Sequence, residues 1–219
     1  MRRGRHRVGR RPPAPRPPAA DGPLPWTAGG GVLLVACGAL AREIGAVTEA
    51  NGWDHLSLRC LPAGLHNHPD RIPEAVEAAL REHAPGHARG FVVYADCGTG
   101  GRLRAVCDRL GVEMIAGPHC YAFYEGLEAF AARDEMRAFY LTDFLVRQFD
   151  AFVWRPLGLD RHPELRDAYF GAYTTLVHQA QIDDPVLEAL ARAHADRLGL
   201  VYVRRLTGYG DLPPALARA

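Results

Sequence analysis

No stretch of the 219 residues approaches the roughly 18 to 20 consecutive apolar residues that a membrane span needs, which excludes an integral membrane protein. Cysteine is sparse: five residues, an odd number, without the close spacing of a secreted disulfide framework, so a reducing cytoplasm is the expected location. No CxxC pair occurs, and the repeated CxxC pattern of a structural zinc site is therefore missing. Net charge is also nearly absent, at +1, but it is unevenly spread. Residues 1–30 carry seven arginines against one aspartate, a surplus of six, so the rest of the chain stands at −5. A mildly acidic body does not favour nucleic acid as a partner.

What is present is globular composition, with 48% hydrophobic and 23% charged residues. A chain of this length buries enough surface to fold as one domain without a disulfide or structural metal. The organisation expected is an Arg/Pro-rich disordered tail over 1–30 and a single α/β domain over 31–219. The tail has too few apolar residues to offset the entropy of ordering it, and reads as a dispensable extension or the product of a mis-set start codon, the alternative being an arm that touches anionic surfaces or RNA. Leu34-Val35-Ala36-Cys37 mimics a lipoprotein cleavage site. The preceding Pro23, Pro25 and Gly29 to Gly31 break any apolar run, which argues against export.

Apolar runs alternate with helical patterns. Val32 to Ala36 reads as a strand, followed by Cys37-Gly38 and an amphipathic stretch from Ala39 to Ala50. His55 to Cys60 repeats the strand, Leu61 to Asp70 is a loop, and Pro73 to Glu82 is helical with proline at its start. Phe91 to Ala95 is a buried-strand run, Asp96 to Gly101 a glycine-rich turn, and Leu103, Val106, Cys107 and Leu110 the apolar stripe of a helix. Val112 to Ala116 forms a fourth strand. The same reading predicts a helix over Phe139 to Phe149, a strand over Ala151 to Trp154, helices over Glu164 to Gln181 and Val186 to Leu198, and a strand over Leu200 to Leu206. Such alternation predicts a mostly parallel sheet with helices on both faces, built from repeated strand–Cys–turn–helix units. Ligands collect beyond the carboxyl ends of such strands.

Cys37, Cys97 and Cys120 each follow an apolar strand run beside a glycine or a turn, so a parallel sheet presents all three at one edge. Three thiolates are ligands for an iron–sulfur cluster or zinc and leave one metal position open for a small-molecule substrate. The competing readings are reactive thiols, or cysteine as a small hydrophobe. Cys60 is a more distant candidate for a fourth ligand, and Cys107 belongs to the core. His66 and His119 supply imidazoles near the same edge for acid–base work, with His68, His162 and His178 weaker candidates. Asp96 and Tyr121 are placed to position substrate. Gly98, Thr99, Gly100 and Gly101 form a turn whose N–H groups could receive a phosphate or a nucleoside cofactor such as S-adenosylmethionine. The acidic residue that such methyltransferases place after the next strand is missing, because Gly117-Pro118-His119-Cys120 stands there.

Read together, Cys37-Gly38-Ala39-Leu40, Leu65-His66-Asn67, Tyr94 to Gly100, Gly117 to Tyr121, Phe139 to Asp143, Gly158 to Leu165 and Thr207 to Gly210 resemble an uncharacterised prokaryotic family, domain of unknown function 1638. The resemblance spans nearly everything after residue 31. It implies no assigned activity; some members lie near genes for corrinoid-dependent methyl transfer, which implies a link to one-carbon metabolism and a corrinoid methyltransferase as a partner. Three α/β units each giving one cysteine to a central site also look like quinolinate synthase and the radical enzyme that begins diphthamide synthesis, both holders of a four-iron cluster. The expectation is a metal- or cluster-dependent small-molecule enzyme. The alternatives are a metal or cofactor carrier, and a nucleotide-binding protein using the Asp96–Gly101 turn.

Overall fold

The structure, a computed structural model, describes residues 22–219. Its first half is a four-stranded sheet in the order β2-β1-β3-β4, with β1 at Gly31–Cys37, β2 at Leu56–Leu61, β3 at His87–Val93 and β4 at Glu113–Met114, every pair parallel. β1 is central and buried from Val32 to Cys37, which is why its sequence is continuously apolar rather than alternating. Parallel neighbours need crossovers, and helices α1 (Ala41–Asn51), α2 (Ile72–His83) and α3 (Arg102–Leu110) supply them. Ile72, Val76, Ala79 and Leu80 form the buried stripe of α2. Gly52 and Gly111 end α1 and α3 in the left-handed conformation that glycine adopts without strain.

Helices α4 (Cys120–Glu125) and α5 (Leu127–Arg133) lead to a second, three-stranded sheet. Its strands β5 (Ala138–Thr142), β6 (Thr175–Ala180) and β7 (Val201–Leu206) are again all parallel, in the order β5-β6-β7. α6 (Asp143–Arg147), α7 (Arg166–Phe170) and α8 (Pro185–Leu198) accompany it. Asp184 caps α8 by accepting the N–H groups of Val186 and Leu187, with proline at the first helical position. A second apolar core gathers Leu141, Phe149, Leu176, Ala191 and Leu198. α9 (Leu212–Leu216) then crosses back, and Leu212, Ala215 and Leu216 complete the core of the first sheet.

The α/β class and the parallel neighbourhood of β1, β3 and β4 agree with the sequence, and the strands are divided between two sheets. Three segments differ. Phe139 to Phe149 opens as β5, and helix begins only at Asp143, where the Thr142 hydroxyl caps it. Ala151 to Trp154 is a helical turn of wide gauge, in which Arg155 N–H bonds Asp150 and Leu159 N–H bonds Trp154, both at 3.0 Å. A four-residue apolar run has no period by which strand and helix can be told apart. The expected helix from Glu164 to Gln181 stops at Gly171, and the β-branched residues from Thr174 onward pair as β6. Residues 1–21 of the expected tail lie outside the described residues. Residues 22–30 lie against the body: Leu24 is 6% exposed, Trp26 packs on the core, and Thr27 N–H bonds His87. Among the described residues no helix is long and apolar enough to cross a membrane.

Candidate functional site

The carboxyl ends of β1 and β3 and the turn before α4 meet in one cavity of about 20 Å³, room for one or two water molecules. Cys37, Cys97, Cys120 and His66 line it together with Tyr94, Phe123 and short aliphatic side chains. Cys37 ends β1, and the Ala39 N–H donates to its sulfur at 3.3 Å as the chain turns through Gly38. That turn needs glycine, since a Cβ at residue 38 would lie 2.8 Å from the Leu61 carbonyl oxygen. Cys97 adopts φ +49°, a left-handed backbone that costs a non-glycine residue about 1 to 3 kcal/mol. Bonds from Asp96 N–H to Gly117 (3.0 Å) and Cys97 N–H to Pro118 (2.8 Å) hold it there and lace the loop after β3 to the one carrying Cys120.

All three thiols are pushed up from the ordinary range near 9, Cys37 to about 11 and Cys97 to about 12, with Cys120 raised further. Burial is the main cause in each, and neighbouring thiols add to it, Cys60 at Cys37, Cys37 at Cys97, and Cys97 and Cys37 at Cys120. Backbone N–H groups work against it: Ala39 at Cys37, Ala95 and Cys120 at Cys97, and Cys120 and Tyr121 at Cys120. His66 Nδ1 lies 3.1 Å from the Ala63 carbonyl and 3.6 Å from the Cys37 sulfur, and burial lowers its pKa. Its ring stacks near Tyr94, whose buried hydroxyl faces the Cys37 sulfur, a weak acceptor, and favours its thiolate. These thiols are therefore poor nucleophiles as they stand; thiolate must be stabilised by something that brings positive charge.

The other candidates are placed elsewhere. Asp96 folds back on its own turn, accepting from Thr99 Oγ1 (2.8 Å), Gly100 N–H (3.1 Å) and Gly101 N–H (2.7 Å), bonds that lower its pKa. The Gly98–Gly101 turn thus directs two of its N–H groups to a carboxylate of the same chain. His119 and Tyr121 join Phe130 and Tyr140 in an aromatic cluster beside the second sheet. Burial lowers the pKa of His119, whose Nδ1 has no partner among the described residues. Cys107 is fully buried on α3, as expected, and Cys60 is exposed on an edge strand. His162 is exposed beside Glu164. His178 is buried on β6, its Nε2 2.8 Å from Asp143 Oδ1.

Among the described residues, no three or more His, Cys, Asp or Glu side chains are grouped so as to hold a single metal ion. One tetrahedral zinc draws three sulfurs to about 3.8 Å from one another, whereas a four-iron cluster spreads them to about 6 to 7 Å. Sequence reasoning missed Tyr94, although it stands two residues before Asp96 in the same strand-end motif. It also missed Glu43, which falls between Leu40 and Val47 on the buried face of α1, a charge at a core position.

No curated protein and no solved structure matches this chain. The family model described as protein of unknown function, DUF1638, matches residues 60–216, a span that includes Cys97 and Cys120 and begins after Cys37, and on that match, well over half its length, the chain belongs to this family.

Proposed function

We propose that this protein is an iron–sulfur enzyme acting on a small molecule, with Cys37, Cys97 and Cys120 as the cluster ligands. The observation that carries the reading is the convergence of three thiols, from two strand ends and an adjoining turn, on one enclosed cavity with backbone N–H groups facing their sulfurs. Such N–H groups stabilise thiolate, and a cluster would supply the positive charge that three mutually repelling, desolvated thiolates require. A single zinc suits the site less well, since among the described residues no three His, Cys, Asp or Glu side chains are grouped around one point. When bound through three cysteines, a cluster offers one iron to substrate as a Lewis acid or electron donor.

His66 is the proton-handling residue in this reading, kept neutral by burial, and Tyr94 the group whose hydroxyl, beside Cys37, would orient a ligand. A four-iron cluster is larger than the free space of about 20 Å³, so the cavity must widen to receive one. The enclosure favours an enzyme over a carrier, whose cargo must exchange at the surface. The Asp96 bonds weigh against the nucleotide-binding alternative. All five cysteines are free, as a reducing cytoplasm would keep them. A corrinoid methyltransferase as partner rests on the family resemblance alone.

The test is anaerobic purification and reconstitution, followed by iron and acid-labile sulfide determination and a visible spectrum. Expected are about four iron and four sulfide per chain with broad absorption in the violet, lost in Cys37→Ser, Cys97→Ser and Cys120→Ser and kept in Cys60→Ser. Absence of iron and sulfide in the folded, reconstituted protein would overturn the proposal.

A further inference from the structure

A larger cleft, about 350 Å³, lies where α1 of the first sheet faces the carboxyl ends of the second. Arg42 and Glu43 enter it from α1, Asp143 and Arg147 from α6, Asp184 from the loop after β6, and Tyr209 from the loop after β7. Its volume is in the range of small-molecule sites.

The polar groups of this cleft are unequally satisfied. Asp143 is bound to His178 and to the N–H groups of Gln181 and Ile182. Asp184 caps α8. By contrast, neither Arg42 nor Arg147 has a carboxylate within ion-pair distance among the described residues, although both lie close enough to act on the Glu43 carboxyl. Glu43 is only 5% exposed, and its Oε2 is buried without a hydrogen-bond partner among the described residues. A buried oxygen left in this state destabilises the fold, a penalty that a ligand donor would remove. Two uncommitted guanidiniums ask for an oxyanion, and the orphaned carboxyl asks for a hydrogen-bonding group a few ångströms from it.

We propose that this cleft binds a small carboxylate-bearing molecule with a hydroxyl or amino group on the adjacent carbon, the carboxylate held by Arg42 and Arg147 and the neighbouring group by Glu43. Acetate supplies the oxyanion alone, glycolate adds the hydroxyl, and inorganic phosphate supplies a different oxyanion. The site is independent of the cysteine cavity and does not rest on its cluster.

The experiment titrates the whole chain with acetate, glycolate and phosphate in turn, following two-dimensional NMR shifts of amides around Arg42, Arg147 and Tyr209. Glycolate is expected to bind at least tenfold more tightly than acetate. Arg42→Ala and Arg147→Ala should each weaken it at least tenfold, and Glu43→Leu should remove the preference for glycolate over acetate. Arg42 is exposed and Arg147 half-buried, so their replacement leaves the core untouched, and Arg42→Lys and Arg147→Lys provide milder variants that keep the charge. Phosphate binding more tightly than glycolate would overturn the choice of carboxylate. No saturable shift with any probe, or glycolate binding that survives both alanine variants, would overturn the site itself.

Discussion

Replacing Asp143 tests whether the ends of β5 and β6 are joined by one buried polar network. Asp143 and His178 are each 1% exposed. His178 Nε2 faces Oδ1 at 2.8 Å, and its Nδ1 lies 3.2 Å from the Tyr202 hydroxyl. Oδ2 accepts the N–H groups of Gln181 and Ile182, both at 3.2 Å, while the Asp143 N–H bonds Gln181 Oε1 at 2.7 Å. In Asp143→Ala the imidazole N–H and two backbone N–H groups lose their acceptor with little access to water. Each orphaned donor costs about 1 to 3 kcal/mol, and removing one partner of a buried pair typically costs about 3 to 5 kcal/mol in all. The expected loss is about 4 kcal/mol of a total near 5 to 15 kcal/mol. In a chain of this size, 1 kcal/mol moves the melting temperature by about 2 to 4 °C, so a fall of about 8 to 16 °C is expected. Denaturant unfolding of Asp143→Ala, His178→Ala and the double variant gives the coupling, expected to exceed about 1 kcal/mol. A single-variant loss below about 1 kcal/mol, or strict additivity, would refute the network.

Two further outcomes follow from single contacts. Burial, seconded by Asp143, raises the Glu43 carboxyl above its ordinary value near 4.5 against the pull of Arg147 and Arg42. Below that value both folded and unfolded states hold the proton; as pH rises the unfolded chain ionises first, so stability is lost through the raised folded pKa. Ligand-free Glu43→Gln should therefore melt higher than the parent at pH 8 and alike near pH 4, and a pH-independent difference would contradict the assignment. Gly210 has φ +50°, and a Cβ there would meet the Phe123 and Tyr124 carbonyl oxygens at 2.3 Å. Gly210→Ala should cost about 3 kcal/mol or more from strain and overpacking, and a melting temperature within about 2 °C of the parent would show the joint to be looser than drawn.

The sequence was informative where one local pattern had one structural meaning. Val32 to Ala36 is buried on both faces of a parallel sheet and admits few other readings, and Cys37 and Cys97 could be placed because each ends such a run. His66 was reachable from its loop. The division into two sheets was not legible, because the sequence does not state which strands are neighbours, and β5 and β6 were hidden in stretches whose aromatic and leucine content also suits a helix. His119 and Tyr121 were drawn into the candidate site by proximity in sequence to Cys120. Their side chains instead turn toward Phe130 and Tyr140. The cleft escaped notice because its residues come from α1, α6 and the loops after β6 and β7, more than 160 positions apart at the extremes.

The return of α9 to the first sheet also bears on how the protein is made. Leu212, Ala215 and Leu216 belong to the core that β1 and α1 begin, so a ribosome delivering the chain from its amino end exposes an unfilled apolar groove until Leu216 has emerged. Throughout synthesis of the entire second sheet, the first can condense only partly, and during that interval it is open to chaperones and to the groove of another nascent copy.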